Sequence, residues 1–181
     1  VFCLISKTFA EIGFDVFIPL LKYMFCVLLA LGVQCFGVYM SMLKIFSGLN
    51  PIIFIKNFFP VMAFAFSTST SNATIPMNID TLAEKMGVSK KISSFTIPLG
   101  ATINMDGTAI MQVIAAMFVA VSSGYKVTFM SMAIIAVLAL IASIGTPAAP
   151  GAGAVILFTI LTGMGYTNDA ALLAYSLILA I

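Results

Sequence analysis

Within a long apolar stretch the chain reads Thr102-Ile103-Asn104-Met105-Asp106-Gly107-Thr108, and Asp106 is the one formal charge between Lys91 and Lys126. A carboxylate at bilayer depth costs several kcal/mol unless something compensates it. Asn104 and Thr108 crowd polar groups around it, and Gly107 makes the backbone adaptable. Burying that set for structure alone is unfavourable. A cation that arrives and leaves at Asp106 accounts for it.

The elements that position these residues follow from composition. The chain is 62% hydrophobic and 8% charged, with no His and no Trp. A soluble domain would carry roughly 25% charged residues. The chain therefore reads as an all-α integral membrane protein. Its net charge of +2 forms no basic stripe, which argues against a nucleic-acid partner. With no His and no nucleophile–base pair in view, an enzyme is not expected. Cys3, Cys26 and Cys35 match no metal or redox spacing and read as small buried hydrophobes. The chain starts at Val1 without a charged, signal-like leader and stops inside the apolar run from Ala170 to Ile181, so it reads as part of a longer protein.

Charges and breakers divide the chain. Tyr23 to Leu43 lacks charge and proline, is bracketed by Lys22 and Lys44, and reads as an ordinary transmembrane helix. Residues 57–79 are also uncharged, but Pro60 and Pro76 punctuate them and Ser67-Thr68-Ser69-Thr70-Ser71-Asn72 fills the middle. A hydroxyl-rich run favours turns. Non-helical backbone at membrane depth needs protein or a water-filled cavity beside it. We read two short arms meeting at a polar tip, a re-entrant hairpin; the alternative is a helix interface using Ser and Thr as glue. Asp80 to Lys91 is charge-rich and reads as a surface segment. Ser93 to Tyr125 reads as the helix carrying Asp106, unwound near Pro98 and Gly100.

Residues 127–168 carry no charge, and their centre is Gly145-Thr146-Pro147-Ala148-Ala149-Pro150-Gly151-Ala152-Gly153. Such a run breaks a helix. It reads as a second re-entrant hairpin, or else as a tight turn between two spans. Hairpin then helix thus occurs twice, which points to a secondary transporter with its site between the breaks. Lys44, Lys56, Lys85, Lys90 and Lys91 flank the first hairpin, while Lys7, Lys22 and Lys126 fall on the other side with Glu11, Asp15 and Asp169. The positive-inside tendency then opens the first hairpin from the cytoplasm and the second from outside.

At these residues the chain resembles the dicarboxylate/amino acid:cation symporters, the glutamate and aspartate transporter family. Three motifs carry the resemblance: the Ser/Thr tip with Ala73-Thr74-Ile75-Pro76, the run from Ile97 to Thr108, and Gly145-Thr146 with Pro150-Gly151-Ala152-Gly153. The resemblance covers essentially the whole chain. It implies a single partial transport domain. That domain runs from the end of the fifth transmembrane helix through the sixth (about 20–46), a first hairpin (about 52–86), a broken seventh helix (about 91–124) and an oppositely oriented second hairpin (about 128–165). The eighth helix would start at about 169.

The resemblance further implies alternating-access symport of an acidic amino acid or dicarboxylate (glutamate, aspartate or a related compound) with sodium or protons. It implies a multi-pass protein of the cell membrane, in contact with lipid and trimeric at full length. Sodium serves as the coupling ion and no other cofactor is expected. By position, Asn104 and Asp106 would ligate sodium through side chains and Gly100 through its carbonyl. Thr102, Ser143, Ile144 and Thr146 would frame a second sodium site. These groups supply oxygen, which hard cations prefer. Ser69, Thr70 and Ser71 would meet the substrate from the first tip, and Thr108 would bond its side chain. Ala149, Pro150, Gly151, Ala152 and Gly153 would cover it, and Met105 would couple ion to substrate. The chain departs from the family in ending its tip with Asn72 and in carrying Ser69 where some relatives have Arg. The family's substrate-selecting Arg lies on the eighth helix, beyond Ile181. Rival readings are a neutral amino acid or C4-dicarboxylate carrier of the same fold, an ion channel lined by the broken segments, and a non-transporting membrane subunit. Expressed alone, residues 1–181 are expected to insert without catalysing uptake.

Overall fold

The computed structural model describes residues 17–180, and every regular element among them is a helix. The expected end of a fifth transmembrane helix, with Cys3, Lys7, Glu11 and Asp15, lies outside the described residues. Two compact units divide the chain. One takes the N-terminal part to Leu31, Asp106–Gly145 and Gly151 onward; the other takes Gly32–Met105 and Thr146–Pro150.

The first unit contains α1 (Phe17–Gly32), α6 (Asp106–Ser122), α7 (Phe129–Ile144), α8 (Ala152–Gly163) and α9 (Asp169–Ala180). Here α6 packs against α7, α8 and α9, and α7 packs against α8. The reason is side-chain size. Ala115, Ala116, Val119 and Ala120 of α6 are fully buried, together with Ala139 of α7 and Ala171 of α9. In lipid, where neighbouring tails are as apolar as Leu, small residues hold helices together by letting backbones approach. Leu157, Ile160 and Leu161 of α8 and Ile135 of α7 fill the remaining space. Phe25, Leu28 and Phe129 point outward, as suits a lipid solvent. Thr128 caps α7 in a reciprocal pair with Ser131, which satisfies two amide donors at the helix start.

The second unit contains a π-helical segment (Val33–Tyr39), α2 (Met40–Ser47), α3 (Pro51–Thr68), α4 (Ser71–Met86) and α5 (Lys90–Ile103). In it α3 packs on α4 and α4 on α5. Asn50 caps α3, its side chain accepting from the Ile52 amide at 3.0 Å, with Pro51 in the first helical position where no donor is needed. A surface ion pair, Lys90 Nζ to Asp80 Oδ1 at 3.1 Å, joins α4 to α5. Exposed pairs of this kind contribute about 0–1 kcal/mol.

Three helical stretches are long and apolar enough to cross a membrane: Ile18–Ser47, Pro51–Thr68 and Lys90–Ser122. The chain is an integral membrane protein of several such helices. Several sequence expectations change in detail. The stretch containing Tyr23 to Leu43 is not a regular helix, because Val33–Tyr39 is π-helical, a form that marks functional sites more often than chance. The six-residue polar tip narrows to Ser69 and Thr70, since Ser67 and Thr68 finish α3 and Ser71 and Asn72 start α4. The expected unwinding at Pro98 and Gly100 falls instead at Asn104–Met105, because α5 continues through both residues and ends at Ile103. Cys26 is exposed and Cys35 half-buried, so these two are not the buried core residues expected, while Cys3 lies outside the described residues.

Candidate functional site

Each unit holds part of the expected site. In the second unit the α3–α4 connection is tight enough to force Ser69 into a left-handed conformation, φ 50 and ψ 25. Among the described residues it is the one non-glycine with positive φ. A side chain there costs of order 1–3 kcal/mol, and such strain clusters at sites that bind or switch. Thr70 follows in an extended conformation, and its Oγ1 donates to the Ala148 carbonyl at 2.7 Å. That bond ties the polar tip to the Pro/Gly-rich loop after α7, a pairing across 78 positions of sequence. Ala149 and Pro150, next along the loop, are exposed, while Thr146 is buried with 4% of its surface accessible.

On α5, the Gly100 carbonyl accepts the Asn104 amide at 2.9 Å and the Thr102 hydroxyl donates to the Pro98 carbonyl at 3.0 Å. A carbonyl has two lone pairs, so Gly100 retains one acceptor site. Asn104 leaves the helix at φ −97 and ψ 72 and is exposed. Ser71 and Gly100 line one cavity of about 250 Å³ between α4 and α5.

In the first unit Asp106 is the opening residue of α6. The amide groups of a helix start carry partial positive charge, which stabilises a carboxylate by about 0.3–1 kcal/mol. The break at Asn104–Met105 thus supplies part of the compensation that an intramembrane charge requires. Thr108 is half-buried two residues on. Against it lies Gly153, in the first turn of α8: a Cβ built there would sit 2.9 Å from Thr108 Cγ2 and 3.1 Å from Met111 Cε. The bare backbone of Gly153 lets α8 approach α6 at this point. Gly151 needs glycine for a different reason, a φ of +76 with open space around it. Ala152 is half-buried beside it. Ser143 is buried, its hydroxyl donating to Leu140 O at 2.9 Å, and Ile144 is exposed.

One residue of this unit was not anticipated. Gln112 is fully buried, and its Nε2 donates to the Gly153 carbonyl at 3.1 Å, while its Oε1 is buried without a partner. It fixes the first turn of α8 against α6. The signal was in the sequence: Gln112 is a lone amide in an apolar run, four residues after Thr108 and so on the same helix face.

The whole chain, residues 1–181, matches the sodium:dicarboxylate symporter family. An excitatory amino acid transporter of Caenorhabditis elegans is 34% identical over 167 residues, covering 91% of this chain and 33% of that protein. Excitatory amino acid transporter 5 of Homo sapiens is 39% identical over 66% of this chain and 21% of its own length. Neutral amino acid transporter B(0) of Mus musculus is 38% identical over 81% of this chain and 27% of its own length. The chain thus spans between about a fifth and a third of the curated relatives it matches. These relatives are transporters, not enzymes. The chain belongs to the sodium:dicarboxylate symporter family.

Proposed function

We propose that this chain forms the ion- and substrate-binding part of a secondary symporter that drives an acidic amino acid, glutamate or aspartate, or a related dicarboxylate, inward with sodium. The observation that carries the reading is the helix break at Asn104–Met105, with Asp106 opening the next helix. It supplies a carboxylate, an amide and an unwound backbone within a few residues, the oxygen set a desolvated sodium ion requires. The helix pairs α3–α4 and α7–α8 are re-entrant hairpins in this reading, with tips linked through Thr70 and Ala148. Gly100, Thr102, Asn104, Asp106, Ser143, Ile144 and Thr146 serve sodium. Ser69, Thr70, Ser71, Thr108 and the loop from Ala149 to Gly153 serve the substrate. Alternating access, a trimer and residence in the cell membrane complete the proposal. A neutral amino acid cargo is the second reading, favoured by the 38% identity to a mouse neutral amino acid transporter.

The α7–α8 loop is the outer gate in this mechanism, and Ala149 is exposed on it. In the intact protein, stripped of its native cysteines, a cysteine at Ala149 should react with an impermeant maleimide from outside in choline. Sodium plus substrate should protect it several-fold. Labelling indifferent to both would identify a static turn and remove the gate.

A further inference from the structure

The cavity between α4 and α5 reaches well below the expected ligands. Ser71, Thr74, Ile75 and Asn78 line it from α4, and Thr96, Ile97, Gly100 and Ala101 from α5. Ser71, Thr74 and Asn78 stand at i, i+3 and i+7, one face of a helix, and span about 10 Å at 1.5 Å per residue. The upper end is therefore Ser71 with Gly100, and the lower end is Thr74 and Asn78 with Thr96.

The two hydroxyl donors of that lower end are already spent. The Thr74 hydroxyl donates to Ser71 O at 2.7 Å and the Thr96 hydroxyl to Ile92 O at 2.9 Å. What each still offers is lone pairs. Asn78 Oδ1 is buried with no hydrogen-bond partner. Each wall also contains a proline, Pro76 in α4 and Pro98 in α5, which removes one backbone donor from its helix. The lower end thus presents two hydroxyl oxygens and the unpartnered Asn78 Oδ1, beside the Asn78 amide N–H groups, and no charge. A buried unsatisfied acceptor costs about 1–3 kcal/mol, and such a group in a folded protein calls for an ion or water.

We propose that the lower end of this cavity is a subsite for sodium, with Thr74 Oγ1, Asn78 Oδ1 and Thr96 Oγ1 as its oxygen donors, one to two turns from Gly100. The inference rests on the sodium-symporter reading and extends it: the ion has a neutral, weak resting place on its way to or from the Gly100 end. Neutral oxygens hold a hard cation loosely, which suits a position the ion must leave.

The test is sodium-dependent thermal stabilisation of the intact purified protein without substrate, with choline holding ionic strength constant. Asn78→Leu, which keeps the size and deletes the acceptor, should raise the sodium concentration for half-maximal stabilisation by roughly three- to ten-fold. Asn78→Asp should lower it. Thr74→Val serves where Asn78→Leu does not fold, and should act in the same direction. An Asn78→Leu protein that melts higher in choline yet keeps the wild-type sodium midpoint would mean water or nothing occupies the site, and the subsite is overturned. Both Asn78 variants shifting the midpoint the same way would overturn it as well. A wild-type protein with no response to sodium would instead overturn the symporter reading, and this inference with it.

Discussion

Asp106→Asn should abolish sodium-dependent uptake by the intact protein while leaving its insertion and yield near wild type. The charge is what the substitution removes. At 4 Å a unit charge contributes about 4 kcal/mol toward a cation at an effective dielectric of about 20, a factor of roughly a thousand in affinity. The fold loses little, because the helix-start stabilisation of the Asp106 carboxylate in α6 amounts to only about 0.3–1 kcal/mol. Uptake into proteoliposomes as a function of sodium is the check. Wild-type sodium dependence in the variant would show that Asp106 holds no cation.

Gly153→Val should be the most damaging change outside the ion ligands. Even an alanine Cβ would lie 2.9 Å from Thr108 Cγ2, closer than real Cβ contacts come. Overpacking of this kind costs about 1–3 kcal/mol, and valine adds two further methyl groups. The contacts at risk are those that hold α8 on α6, including the bond from Gln112 to the Gly153 carbonyl. The damage should therefore appear both in thermal stability and in substrate binding. Gly153→Ala should show a milder version, and Thr108→Ser should rescue it, since serine keeps the hydroxyl and lacks the clashing Cγ2. Melting temperatures of the single and double variants test this. Failure of Thr108→Ser to recover any stability would place the cause elsewhere.

Much of this arrangement was legible in residue order because it follows from local chemistry. The uncharged stretches bounded by lysines became helices. The breaks at Ser69–Thr70, Asn104–Met105 and Gly145–Gly151 fall inside the three polar or Gly/Pro runs that stood out. What misled was hydroxyl content. A Ser/Thr run was read as six residues of turn, but a helical hydroxyl can donate to the carbonyl one turn back, as Thr68 does to Phe64 O at 2.9 Å. Such residues need no turn to be satisfied, so only two positions left the helix. Proline misled in the same way. Pro98 removes only the one donor that would reach the Ser94 carbonyl, and α5 runs on to Ile103. The π-helical segment carries no local marker that separates it from an ordinary span. The Gln112–Gly153 and Thr70–Ala148 bonds join residues 41 and 78 positions apart, which no local pattern encodes.

Coupling is the central claim, and solute accumulation measures it. Proteoliposomes containing the intact protein should take up radiolabelled aspartate or glutamate under an inward sodium gradient. The internal concentration should overshoot the external one, then collapse when an ionophore dissipates the gradient. Uptake that merely equilibrates, or that proceeds equally in choline, would contradict sodium-coupled symport.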